Sequence, residues 1–210
     1  MRLAIFGSSG PTGRALVSQA LDQGHEVTAL ARDPAAVDAT TGHLQVVRAD
    51  VLDRSSFDGV LDGADAVLSA IGTHGRRPTT VYSTGAANIR DAMQRAGVRR
   101  FVGISALPVT PRTEMGSAER WIVVPVLRIF FGSMYADMTR MEQVLRDSDL
   151  DFTIMRPPQL TDKRATGQYR TAINRRLPRA RKISRADLAA EMLKVIPDRK
   201  TVRATVTLSY

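Results

Sequence analysis

The sequence contains no cysteine, which excludes thiol catalysis, thiolate metal sites and structural disulfides. Histidine is nearly as scarce. His25, His43 and His74 are the only three, no two stand at a metal-ligand spacing, and no metal is expected. Long apolar runs are missing as well: the longest, 121–131, is interrupted by Pro125 and Arg128. It falls far short of the ~20 residues needed to span a bilayer, so no membrane span is expected. No targeting segment stands out, because a strand-like run begins at Leu3, and a cytoplasmic protein is expected.

What is present is ordinary for a globular protein. Of 210 residues, 43% are hydrophobic and 24% charged, enough for one sizeable core. The formal net charge of +9 is uneven. Residues 1–150 balance 16 basic against 16 acidic side chains, whereas 151–210 hold 14 against 5. A basic segment can attract nucleic acid. The aromatics that stack on bases are nearly absent there, with only Phe152, Tyr169 and Tyr210. The segment therefore reads as a solvated face, and no nucleic-acid partner is expected.

Short β-rich runs alternate with helical stretches from the start. Strands are predicted at 3–6, 27–31, 44–47, 66–70, 101–104 and 152–155, most of them continuously apolar. Such runs suit parallel strands buried on both faces. Helices are predicted at 12–23, 54–61, 79–96 and 136–146, then a last helix at 185–196 and a last strand at 203–208. The alternation predicts an α/β fold, a Rossmann-like doubly wound parallel sheet with helices on both faces, in a single domain over 1–210. Two stretches fit poorly: 108–132, and the basic, turn-rich 157–183.

The strongest chemical signal is Gly7-Ser8-Ser9-Gly10-Pro11-Thr12-Gly13, directly after the first strand and opening the first helix. A tight turn, close approach to a pyrophosphate and close helix–strand packing each favour a missing Cβ. The helix N-terminus offers free N–H groups to phosphates. Gly7, Ser9, Gly10, Pro11, Thr12 and Gly13 are thus the expected cofactor cradle. An NAD site usually places a carboxylate at the end of the second strand to hold the ribose hydroxyls. Arg32 stands there, followed by Asp33. A guanidinium suits a 2′-phosphate, so the expected cofactor is NADP (NADPH). Asp50 and Val51 are placed to touch the adenine, and Ala70, Ile71 and Gly72 to line the cofactor.

A missing motif is equally informative. Tyr82, Tyr135 and Tyr169 are followed four residues later by Ala86, Thr139 and Ile173, so no Tyr-x-x-x-Lys pair exists to protonate a carbonyl. Acceptors that need no strong enzyme acid fit better: flavins, quinones and linear tetrapyrroles.

The chain resembles the atypical short-chain dehydrogenase/reductase group of NAD(P)H-binding proteins, and within it the biliverdin-IXβ reductase/flavin reductase branch. The resemblance covers nearly the whole chain. It rests on the glycine turn, Ala31-Arg32-Asp33, Ala49-Asp50-Val51-Leu52 and Ile71-Gly72-Thr73 followed by Pro78-Thr79-Thr80-Val81. Ile104-Ser105-Ala106, Arg156-Pro157-Pro158-Gln159 and Thr166-Gly167-Gln168-Tyr169 extend it. It implies a planar substrate lying against the nicotinamide, with Ser105 shaping the site as catalytic and cofactor-contacting residue. Gln159 stands where that branch has a histidine, and it can hydrogen-bond a substrate but cannot exchange a proton near neutral pH. An apolar insertion at 115–133, with Trp121, Phe130 and Phe131, would cover the acceptor, meet a partner or form a satellite core cluster. The expected function is hydride transfer from NADPH to a small planar redox substrate. The alternative is a non-catalytic NADP-sensing regulator resembling the nitrogen-regulation repressor NmrA, which also lacks the catalytic tyrosine.

Overall fold

The computed structural model describes residues 1–37, 42–73, 79–110, 121 and 124–210. Pro78, His74 and most of 111–123, the first part of the expected insertion included, lie outside them. Ten strands and four α-helices occur among the described residues: β1 (Arg2–Phe6), α1 (Pro11–Asp22), β2 (Glu26–Ala31), β3 (Leu44–Arg48), β4 (Ala66–Ser69), α2 (Val81–Arg95), β5 (Arg100–Ile104), α3 (Val124–Arg146), β6 (Asp151–Met155), β7 (Gln159–Thr161), β8 (Arg170–Ile173), β9 (Lys182–Ser184), α4 (Arg185–Lys194) and β10 (Ala204–Ser209).

Eight strands form one sheet in the order β3-β2-β1-β4-β5-β6-β10-β8. All pairings are parallel except that of β8 with β10. Strand alternation explains the two-sided core. On β1, Leu3 and Ile5 pack toward α1 and α4, whereas Ala4 and Phe6 pack toward α2 and α3. The expected doubly wound sheet with helices on both faces is what the chain forms. Chain order reverses between β1 and β4, where Phe6 lies opposite Ser69. In open α/β sheets that switch point opens a crevice at the carboxyl edge.

Three local expectations are corrected. The helix expected at 54–61 is only a 3-10 turn, Arg54–Phe57, capped by the Asp53 carboxylate on the Ser55 N–H at 3.1 Å. Asp58 is extended (φ −62°, ψ 131°), so the helix cannot propagate. The helix expected from 136 begins at Val124, crossing a kink at Phe131 (φ −130°, ψ 16°). Pro125 stands in its first turn, where no intrahelical N–H is required. The described part of the 115–133 stretch beyond Trp121 is thus the start of α3, and Val126, Ile129 and Phe130 are exposed on it. Finally, 157–183 holds β7, β8 and the first residues of β9. The small β7–β9 pair sets Gln159 opposite Lys182.

Candidate functional site

A cleft of about 780 Å³ opens along the carboxyl edge, over the switch point. The glycine turn forms one wall. Gly7 has φ +74°, and a Cβ there would stand 2.7 Å from the Ala70 carbonyl. A Cβ on Gly13 would stand 2.0 Å from the Gly7 oxygen. Both glycines therefore close the turn onto β4 and α1 whether or not a ligand is present. Gly10 differs. It is an extended N-cap (φ −74°, ψ 162°) without a side-chain cap, and its Cβ would approach nothing closer than the Gly7 oxygen at 3.4 Å. Its missing side chain leaves room on the cleft side. Buried Ser8 fastens the turn by donating to the Leu30 carbonyl at 3.0 Å. Pro11 occupies the first helical position, and the following N–H groups of Thr12 and Gly13 have no partner one turn back. Gly7, Ser9, Gly10, Pro11 and Thr12 line the cleft, and Gly13 packs behind them.

At the next station Arg32 is exposed and lines the cleft from the end of β2. Asp33 turns away, accepting the Ala35 N–H at 3.2 Å. Asp50 and Val51 line the same region. The Asp50 carboxylate accepts the Leu52 N–H at 3.0 Å, and its own N–H donates to Ser56 Oγ at 2.9 Å, which fixes the loop after β3. Ala70, Ile71 and Gly72 follow β4 along the floor. The Thr73 N–H donates to the Tyr82 hydroxyl oxygen at 3.2 Å, tying that loop to α2.

The far end is apolar. Ile104 and Ala106 flank Ser105 at the end of β5, Pro157, Pro158 and Leu160 come from the β6–β7 junction, and α3 contributes Met134 and Met138. The guanidinium that lines this end among the described residues, Arg185, pairs with Asp162 at 2.7 Å. Ser105 is 2% exposed and donates to Glu142 Oε1 at 2.8 Å. Glu142 is itself buried and held by Arg156, whose Nε lies 3.0 Å from Oε1 and Nη2 2.5 Å from Oε2. Gln159 is exposed on β7; its neighbours Pro158 and Leu160 line the cleft, and it does not. Tyr135, behind this end, has its hydroxyl pKa raised by burial and further by nearby Tyr82. The only lysines are 163, 182, 194 and 200, and none lines the cleft.

Sequence reasoning passed over Met134, Met138, Glu142 and Arg185. One signal was available. Glu142 interrupts the buried stripe Met138, Met141, Leu145 of α3, and an acid on an apolar stripe calls for a buried partner. Among the described residues, no cluster of three or more His, Asp or Glu could hold a metal ion. None of their helices is long and apolar enough to cross a membrane.

These features fit a dinucleotide: a glycine with space for a phosphate, free first-turn N–H groups and a cation at the end of β2. The chain is similar over its full length to the oxidoreductase ylbE of Lactococcus lactis, with TM-score 0.82, 21% identity and 90% of that chain covered. A short-chain dehydrogenase/reductase of Veillonella parvula, solved in complex with NADP, aligns over 100% of this chain and 94% of its own, with TM-score 0.80 and 18% identity. At these identities the likeness is one of fold. An uncharacterized Mycobacterium tuberculosis protein is 33% identical over 133 residues, 62% of this chain. The match spans only 15% of that protein's length. The sequence profile of the NAD(P)H-binding family matches residues 7–199, and the chain belongs to that family.

Proposed function

We propose that the protein is an NADPH-dependent reductase that passes hydride to a planar acceptor such as a flavin, a quinone or a linear tetrapyrrole. One observation carries this reading. The α3 residues that face the cleft at the i, i+4 spacing of a Tyr-x-x-x-Lys pair are Met134 and Met138. Thioethers give an apolar, polarizable surface for a flat ring and no proton for a ketone oxygen. The same surface suits acceptors whose protonation is left to solvent.

When bound, the nicotinamide supplies the hydride. The chain's own residues bind, orient and exclude water. Gly10 leaves room for the pyrophosphate, with Gly7, Ser9, Pro11 and Gly13 shaping the turn and Thr12 presenting its N–H. Arg32 meets the 2′-phosphate, while Asp50 and Val51 border the adenine. Ala70, Ile71 and Gly72 support the ribose side. Ser105 meets the reacting end, Pro157 and Pro158 shield it, and Gln159 stands at its rim.

NADPH absorbance followed with FMN, FAD, a quinone and biliverdin in turn tests the reading. Acceptor-dependent oxidation is expected with at least one of them. Tight NADPH binding with no turnover on any would assign the protein to nucleotide sensing instead.

A further inference from the structure

The contact between Ser105 and Glu142 decides what Ser105 can offer a ligand. Glu142 faces two guanidinium groups: Arg156, paired through both oxygens, and Arg146, whose Nη2 lies 3.4 Å from Oε2. A carboxylate so held accepts hydrogen bonds and donates none. The hydrogen in the 2.8 Å contact is therefore that of Ser105. A hydroxyl has one hydrogen and two lone pairs. With the hydrogen spent on Glu142, Ser105, which lines the cleft, has only oxygen lone pairs left to offer a ligand.

We infer that Ser105 serves the cleft as a hydrogen-bond acceptor, fixed in that role by Glu142, and recognises a planar amide or imide N–H. Two ligand groups have this chemistry: the carboxamide of the nicotinamide and the imide of a flavin-like acceptor. The acceptor case rests on the reductase reading above; the carboxamide case needs only nucleotide binding. Glu142 is a positioning residue, acting through Ser105. A carbonyl oxygen that gains charge as it is reduced would find no donor at Ser105, as it finds none at Met134 and Met138.

The test uses two ligand pairs that differ in the N–H. Titration of NADP+ against its 3-acetylpyridine analogue, which carries a methyl in place of the amide NH2, probes the cofactor. Fluorescence quenching of lumiflavin against 3-methyllumiflavin, added to the protein–NADP+ complex, probes the acceptor. The wild type should favour the N–H ligand of one pair about five- to tenfold, the effect of one hydrogen bond. Ser105→Ala should bring that ratio to within about twofold of unity. Glu142→Ala, which returns the Ser105 hydrogen, should also reduce it. General loosening weakens both members of a pair alike, so the ratio reports the contact rather than stability. Equal affinities in the wild type for both pairs, or ratios that Ser105→Ala leaves unchanged, overturn the inference. If neither flavin binds, the flavin-acceptor reading falls, and the nicotinamide pair alone decides the role of Ser105.

Discussion

The hydroxyl of Tyr210 donates to Asp187 Oδ2 at 2.6 Å, and this buried carboxylate gathers the chain around it. It accepts from the N–H groups of Thr166 and Gly167 at 3.0 and 2.9 Å, from Thr166 Oγ1 at 3.2 Å and from Ser184 Oγ at 2.9 Å. Tyr169 donates to Glu191 one turn further along α4, at 2.9 Å. The Thr-Gly-x-Tyr stretch thus ties the β7–β8 loop to α4, next to Arg185 at the cleft rim. Its hydrogen bonds run away from the cleft.

Burial of Asp187 favours its neutral form, but the donors from Tyr210, Gly167, Thr166 and Ser184 outweigh this and hold its pKa below the usual carboxylate value. A folded-state pKa that is depressed means stability is fully present above the unfolded value, near pH 4, and is lost as pH falls through the folded one. Asp187→Ala should cost about 3 kcal/mol at pH 7, since several buried donors lose their acceptor at once. Urea unfolding from pH 7 to pH 3 checks both parts. The variant should lose less stability than the wild type across the acid limb.

The glycine turn separates folding from binding. Gly13→Ala puts a methyl 2.0 Å from the Gly7 carbonyl and should lower the melting temperature strongly. Gly10→Ala meets nothing within the protein closer than 3.4 Å, so its fold should survive with a loss of about 1 kcal/mol or less for a poorer N-cap. NADPH affinity should nevertheless fall at least about tenfold, about 1.4 kcal/mol, because the new methyl occupies the phosphate's space. Thermal melts beside nucleotide titrations distinguish the two variants. Equal losses of stability would assign Gly10 to the turn as well.

Legibility in the sequence followed burial. β1, β4 and β6 are buried along nearly their whole length, and their continuous apolar runs marked both the strands and the parallel sheet. β8 buries only Ala172 among Arg170, Thr171 and Ile173, so no pattern announced an edge strand. The cofactor end of the cleft comes from one contiguous segment and from strand ends, and such positions can be read in order. The Ser105 end of the cleft comes from residues far apart, Met138 of α3 beside Pro157 and Arg185, which only packing brings together. Glu142 and Arg156 are likewise 14 residues apart, on a helix and at the end of a strand.

That pair gives a prediction about stability rather than affinity. Both side chains are about 6% exposed, and removing Arg156 leaves the buried Glu142 carboxylate with only the longer contact to Arg146, at 3.4 Å. Arg156→Leu alone should cost roughly 3–5 kcal/mol in urea unfolding. Arg156→Leu combined with Glu142→Leu should recover much of that loss, since no charge is then left buried. A double variant that loses the full sum of the two single losses would mean that the pair contributes beyond its charges, through the geometry around Ser105.

The proposed cofactor preference turns on Arg32. Its guanidinium stands at the end of β2 on the cleft wall, with no hydrogen bond or ion pair among the described residues to occupy it. Asp33, which in the other orientation would accept ribose hydroxyls and repel a phosphate, is turned to the Ala35 N–H at 3.2 Å. NADPH brings a 2′-phosphate to this position, where NADH brings only a hydroxyl. A charge-assisted contact contributes roughly 1.5–3 kcal/mol, and about 1.4 kcal/mol is a tenfold ratio in affinity. Wild-type protein should therefore bind NADPH about 10- to 100-fold more tightly than NADH. Because the contact is partly exposed, the ratio should shrink as salt rises, whereas NADH affinity stays nearly constant. Arg32→Ala should erase the preference by weakening NADPH alone. Titration of both nucleotides against both proteins, at low and high salt, decides it. An alanine variant that keeps the full preference would move the 2′-phosphate contact to another residue.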